Sequence, residues 1–295
     1  LNSIMTYDPT VKPYNEDGSY GTVPGGRGDN PLANLLERQN DETKDKFNGT
    51  AFVEINPLEG LTAKASAGVE IQHNFQGTYL PKSTYQGRID GGVASTYDYT
   101  GTRQLFEGTI NYMKTFNKVH DFSAMVGYTY EKFIAEYRQE NAKGFSTDQF
   151  SYNNMGAASI VTSIASNKTE NILISFFGRV NYSYNDTYFG NVSYRRDASS
   201  RFAPENRWGN FWSASVAWML TRESFMEDIT WVNMLKFKAS FGQQGNDDIL
   251  YPGVLLEKNY YPWLDQYKMT GANGTFADGT LLYKGNPDIT WETSH

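Results

Sequence analysis

The strongest constraint on this chain is an alternation of apolar and polar side chains with period two, recurring in eight separate runs. Successive side chains on an extended strand point to opposite faces, so each run has one apolar and one polar face. From Phe47 the odd positions read Phe47, Gly49, Ala51, Val53 and Ile55, against Asn48, Thr50, Phe52, Glu54 and Asn56. After Pro57-Leu58-Glu59-Gly60 the next run sets Leu61, Ala63, Ala65, Ala67, Val69 and Ile71 against Thr62, Lys64, Ser66, Gly68, Glu70 and Gln72. Runs starting near Phe106, Phe122, Ile172, Tyr188, Trp212 and Leu235 repeat the pattern.

The connections alternate in length. Residues 57–60, 117–120 and 186–187 are short turns and 221–231 somewhat longer, whereas 73–101, 141–169, 197–210 and 245–290 are long, polar and rich in Gly, Asn, Asp and Tyr. A spanning β-strand needs only about 9–11 residues. Short turns at one rim and long loops at the other are the asymmetry of outer-membrane barrels. Loops of that length count against a compact soluble domain.

Aromatic residues reach 15% of the chain, and many fall near strand ends: Tyr128, Tyr130, Tyr182, Tyr184, Tyr188, Trp212 and Trp218. That is where the aromatic girdles of a membrane barrel lie. The charged residues Lys64, Glu107, Arg179, Arg195, Lys236 and Lys238 fall on the polar face. A cation on the lipid face near mid-membrane would cost about 2–4 kcal/mol, so the placement fits. The competing architecture, a soluble β-sandwich serving as a surface-exposed binding or adhesion module, also alternates but with strands of about 5–6 residues. The expectation is therefore an all-β, antiparallel transmembrane β-barrel segment in the outer membrane, in contact with outer-membrane lipid.

Several function classes are disfavoured. A net charge of −7 and a pI near 5.1 argue against a nucleic-acid partner. With no Cys and only His73, His120 and His295, a metal site is not expected, nor is a cofactor. No stretch of 18 apolar residues suggests a spanning helix. No local motif nominates catalytic residues, so an enzyme is not expected. Leu1 opens into a polar, turn-rich segment without a signal peptide, which reads as a mature or truncated start.

The stretch from Phe176 to Asn246 carries a further signal: Gly178-Arg179-Val180-Asn181-Tyr182, then Arg195-Arg196-Asp197-Ala198-Ser199-Ser200-Arg201-Phe202, Asn206-Arg207-Trp208-Gly209, Ala217-Trp218 and Gly242-Gln243-Gln244-Gly245-Asn246. It resembles the barrel signature of SusC/RagA-like TonB-linked outer-membrane transporters, with Ala198, Trp212 and Gln244 as mild departures. Asn30-Pro31-Leu32-Ala33, Pro57-Leu58-Glu59-Gly60-Leu61 and the stretch from Gly285 to Thr293 match as well. The resemblance implies a barrel of about 22 strands, of which residues 1–295 would be a part. It also implies a plug domain and a TonB box outside this chain. Energy would come from a TonB–ExbB–ExbD complex of a Gram-negative, Bacteroidota-like cell. The implied partner is a SusD-like surface lipoprotein, and the implied cargo is an oligosaccharide or oligopeptide too large for porins.

Candidate binding residues are the aromatics assigned to long loops, Tyr97, Tyr99, Tyr260, Tyr261, Trp263 and Tyr267, whose flat faces and polar rims suit sugar rings and peptides. The signature residues Arg179, Asn181, Arg195, Arg196, Asp197, Arg201, Arg207, Trp208, Gly209, Gly242, Gly245 and Asn246 are assigned structural roles. For the arginine cluster, a network anchoring the loops is favoured over a phosphate or carboxylate site. Arg27-Gly28-Asp29 reads as an ordinary turn, as do the acidic turns at Asn15-Glu16-Asp17-Gly18 and Asn246-Asp247-Asp248, which lack calcium-loop spacing.

Overall fold

The computed structural model describes residues 7–23, 30–250, 258–268 and 280–294. Eight strands form one antiparallel sheet in sequence order: β1 (Gln39–Leu58), β2 (Leu61–Leu80), β3 (Val93–Phe116), β4 (His120–Phe145), β5 (Ala158–Tyr184), β6 (Tyr188–Ser199), β7 (Trp208–Met219) and β8 (Lys236–Gly242). Two small pairs follow. β9 (Gln244–Asn246) pairs with β12 (Glu292–Ser294), and β10 (Gln266–Lys268) pairs with β11 (Thr280–Tyr283). The tripeptide at 27–29 lies outside the described residues.

Strand length departs from the sequence reading. β3, β4 and β5 run to 24, 26 and 27 residues, more than twice a bilayer crossing. Much of 73–101 and 141–169 is therefore strand, with short helical connections at Tyr85–Asp90 and Ser151–Ala157. The extensions were hidden because neither face keeps one polarity: in β5 Ile160 and Ile164 share a face with Thr162 while Val161 lies opposite, so the period-two signal fades there. Tyr97 and Tyr99 accordingly sit inside β3, not in a loop.

The chain divides into two compact units, with β1–β5 contributing to both. The first comprises residues 1–47, 70–102 and 134–169. Its core is Tyr79, Ala94, Ala142 and Phe145, with Tyr152, Met155 and Ala158 packed against it. The Tyr79 hydroxyl donates to Asp148 Oδ1 at 2.7 Å, and the Lys82 amide reaches Oδ2 of the same carboxylate at 3.2 Å. Burial and that carboxylate push the Tyr79 phenol well above its ordinary pKa. The Tyr85–Asp90 helix is capped by the Thr84 side chain and ended by Gly91 in the left-handed region. Lys143 pairs with Asp90 at 2.7 Å and holds that carboxyl below the usual range. Ahead of β1, Asn30 caps the helix Pro31–Leu36, while its amide donates to the carbonyls of Pro13 and Gly21.

The second unit, residues 48–69, 103–133 and 170–295, holds the tight turns. At Asn185-Asp186 both residues have φ near +50°, and Asn117-Lys118 have φ of 51° and 64°. Two successive left-handed residues give the turn twist that antiparallel hairpins prefer. Gly60 has φ +80°, and a Cβ there would lie 2.1 Å from the Met113 carbonyl oxygen, so glycine is required.

Within this unit the sheet is two-faced. The apolar face carries Val180, Val192, Ala214 and Phe241 across neighbouring strands, by register. At its turn end Tyr184, Tyr188 and Trp218 stack in a row with centroids 6.4 Å apart. Farther along, Tyr128, Phe176 and Trp208 form a second row at 5.1 and 6.2 Å. Aromatic rings at two levels with aliphatic residues between them mark two membrane–water interfaces. Val53, Ile110, Val126, Val192 and Val216 are more than half exposed on this face. In water they would form an apolar patch larger than soluble monomers tolerate.

Not every charge follows the sequence reading. By strand alternation Lys114 and Arg196 lie on the apolar face, but at its margins, each over an aromatic ring: Lys114 on Phe116 at 5.4 Å and Arg196 on Trp208 at 4.8 Å. A long basic side chain at an interface lays its stem on apolar surface and keeps its head wet, so the mid-membrane cost falls away.

Candidate functional site

The polar face of the second unit is built from short hydroxyl and amide side chains that bond across strands. Asp121 accepts from Thr115 at 2.7 Å and from Ser183 at 3.2 Å, and Asn181 donates to Ser123 at 2.8 Å. Asn191 donates to Asn181, and Ser193 shares a 2.6 Å hydrogen bond with Ser213. Register explains the ladder: Asn181, Asn191, Ser215 and Ser240 stand opposite one another on four successive strands. One row beyond them Arg179 stands opposite Ser193, exposed, with Glu54, Lys64 and Asn111 around the same polar hollow of about 380 Å³. Such a wall offers water and polar solutes many weak hydrogen-bonding partners, with Met113 and Met125 beside them.

At the end of this face remote from the tight turns, the wall becomes a pocket of about 400 Å³. Arg195, Asp197, Phe211, Gln243, Gln244, Asp247 and Trp291 line it, among others. Arg195 and Asp197 form a pair along one strand, with Nε at 2.7 and 2.9 Å from the two carboxylate oxygens, and the guanidinium also donates to Ser175 Oγ at 2.8 Å. Phe211 and Trp291 meet edge-on at 5.3 Å. A paired charge, two aromatic rings and two amides can together bind an uncharged polar chain with ring or amide groups.

Two glycines of this region make room for Phe211. A Cβ at Gly245 would lie 2.1 Å from its ring and one at Gly209 2.5 Å. At Gly242 a Cβ would come 2.8 Å from Ser213 Cβ. Trp291 donates from Nε1 to the Arg207 carbonyl at 2.8 Å and packs on Phe202 at 5.3 Å. Asn246 donates to Glu292 at 3.0 Å beside the β9–β12 pairing.

The other signature arginines tie loops together. Arg201 is buried and donates to the Asp247 carbonyl at 2.9 Å, contacts Asp248, and faces the Tyr260 ring at 5.2 Å. Ser199 donates to Asp247 at 2.7 Å, and Lys258 grips both oxygens of Asp248 at 2.7 and 2.9 Å. Burial works to raise the Asp248 carboxyl, but the hydrogen bonds from Lys258 and Arg201 outweigh it and hold the pKa below the usual range. Arg207 donates from Nε to the Phe202 carbonyl at 3.1 Å.

The aromatic candidates are not brought together into one site. Tyr97 stacks on Tyr137 at 6.0 Å in the first unit, and Tyr99 is half-buried near Gly101. In the second unit Tyr260 is engaged with Arg201, and the Tyr261 hydroxyl accepts from the Glu170 amide at 3.0 Å. Trp263 is half-buried, whereas Tyr267 on β10 is 53% exposed. Phe211 and Trp291, which line the pocket, were not nominated as binding residues from the sequence. Trp291 lies 80 residues from Phe211 in the chain, and only the recurrence of glycines around an aromatic hinted at a ring that must lie flat on backbone. Among the described residues no cluster of three or more His, Asp or Glu side chains is arranged to hold a metal ion.

Comparison with known proteins agrees with this two-faced sheet. No family model matches the chain. TonB-dependent receptor P26 of Formosa agariphila is 31% identical over 306 residues, which cover 100% of this chain and 30% of the relative. TonB-dependent receptor SusC of Bacteroides thetaiotaomicron is 29% identical over 94% of the chain and 27% of its own length. Among solved structures, the RagAB peptide transporter superposes with a TM-score of 0.77 at 24% identity, over 90% of this chain and 28% of that one. The RagAB peptide importer in its closed-closed state gives 0.75 at 25% identity. The chain thus spans less than a third of each of these relatives.

Proposed function

The chain is a segment of an outer-membrane β-barrel of the SusC/RagA-like, TonB-dependent kind, and from that premise we propose that it forms part of the wall of an active importer for a large nutrient, an oligosaccharide or an oligopeptide. The observation that carries this reading is the two-faced sheet of the second unit. One face is shaped for hydrocarbon, with aromatic rows at two levels, and the other is a hydrogen-bonded polar ladder ending in an aromatic-lined pocket. A wall of this kind guides cargo without reacting with it, so no covalent step is assigned. Energy would enter through TonB acting on a plug domain of the complete receptor, and a SusD-like lipoprotein would present the cargo at the long-strand side.

The test is accumulation of labelled oligosaccharides and oligopeptides by cells carrying the complete receptor. Uptake of one class that stops when the proton-motive force is collapsed supports the proposal. Uptake that survives collapse, or none of either class, overturns it.

A further inference from the structure

The apolar face carries a groove of about 530 Å³ that the import reading leaves without a role. Val53, Ile55, Ala63, Ala65, Ile110, Val126, Tyr128 and Phe176 supply its apolar lining, with Gly108 on the same face. Where neighbouring strands carry valine or isoleucine, Ala63, Ala65 and Gly108 leave a trough. Val53 and Val126 stand 68% and 58% exposed along it. The groove's upper wall is the aromatic row, since Tyr128 and Phe176 belong to both.

That wall also carries a cation. Phe176 stands opposite Arg196 in the β5–β6 register, so the two lie about 5 Å apart across the sheet. Arg196 rests on the Trp208 ring at 4.8 Å, is exposed, and takes part in no ion pair among the described residues. It lies eight residues beyond Tyr188 along β6, roughly 26 Å of strand, at the interface away from the tight turns. An aliphatic trough below an aromatic shelf that bears an unpaired guanidinium has the polarity of an anionic amphiphile. Its tail fits the trough, and a phosphate suits the planar donor fork of arginine.

We propose that the groove and Arg196 together hold one anionic, phosphate-bearing lipid of the surrounding membrane, its phosphate on Arg196 and its acyl chain crossing Phe176 and Tyr128 to reach Ala63 and Ala65, four strands or about 19 Å away. Charge complementarity singles out the lipid. A second copy of the chain would have to match the unpaired cation with an anion of its own, and on this apolar face no carboxylate lies near the trough among the described residues. The inference rests on the membrane placement of the sheet and not on import. A receptor that transports nothing would still hold the lipid.

The experiment is electron spin resonance on the complete receptor in bilayers, using spin-labelled phosphatidylglycerol and spin-labelled phosphatidylcholine. Wild type is expected to restrict the anionic label about fivefold more than the zwitterionic one, the preference one interfacial arginine can supply. Arg196→Gln brings the ratio close to one, and Arg196→Lys keeps most of it. Ala65→Phe, which fills the trough, lowers the restricted fraction of both labels, and it reads the groove even if the Arg196 variants do not fold. Heat-modifiable migration checks that each barrel is formed. An equal restriction of both labels by wild type overturns the proposal, as does a preference that survives Arg196→Gln. Abolition by inorganic phosphate would reveal a free-anion site, and a restricted fraction that grows as the receptor is diluted in lipid would reveal a second copy covering the groove. Either result also overturns it.

Discussion

At Gly245 one added methyl group has nowhere to go, because Phe211 lies flat on the backbone there. Gly245→Ala is expected to displace the ring and its edge-on contact with Trp291, lowering stability by about 1–3 kcal/mol. Urea titration of the refolded barrel, followed by tryptophan emission, checks this. The anchoring network around Arg201 makes a second residue-level prediction. The Asp248 carboxyl has a folded pKa below its unfolded value, so its contribution is present above the unfolded value of about 3.9 and is lost as pH falls through the lower folded one. Amide protection at residues 199–201 should therefore hold at pH 5 and drop only below the ordinary aspartate range. Asp248→Asn should remove that pH dependence, and a drop that persists in the variant would assign it elsewhere.

Single elements explain how the two faces are kept apart. Tight turns with paired left-handed residues set the register, and a slip of one residue would turn every side chain to the opposite face. Lys118 occupies such a position at φ +64° without the freedom of glycine or the local hydrogen bonding of asparagine. Lys118→Gly should stabilise the hairpin by about 0.5–1 kcal/mol, seen as a slower urea-induced unfolding. Adjacent positions on β6 test the facing directly. Val192→Arg puts a cation on the lipid side midway between the aromatic rows, at a cost of about 2–4 kcal/mol. Asn191→Arg on the polar ladder should cost far less, and equal costs would refute the assignment of faces.

For the molecule as a whole, under the import proposal the pocket at the end of the polar face is the place where cargo would first be held. Gln243 lines it while its own amide donates to the Trp212 carbonyl at 2.9 Å, so truncating the side chain leaves the backbone bond intact. In the complete receptor Gln243→Ala should raise the half-saturating cargo concentration roughly 2- to 10-fold through loss of one hydrogen bond. Uptake kinetics would show this, with the maximal rate little changed. An unaltered half-saturation would place the cargo elsewhere.

Period-two alternation was enough to specify a two-faced antiparallel sheet, because each strand in a membrane must keep one side apolar. The same pattern located the tight turns and the polar ladder through Asn181, and the signature block pointed to the correct family. It could not show where β3, β4 and β5 end, since strands that mix polar and apolar residues on both faces lose the alternation yet stay extended by pairing with their neighbours. Nor could it gather Phe211, Trp291 and Gly245 into one pocket. The long separation of Phe211 from Trp291 is closed by the β9–β12 pairing and by the Trp291 bond to Arg207. The groove beside Arg196 has the same origin. Alanines and a glycine on β2 and β3 mean little singly, and only side-by-side strand pairing turns them into a trough below an arginine.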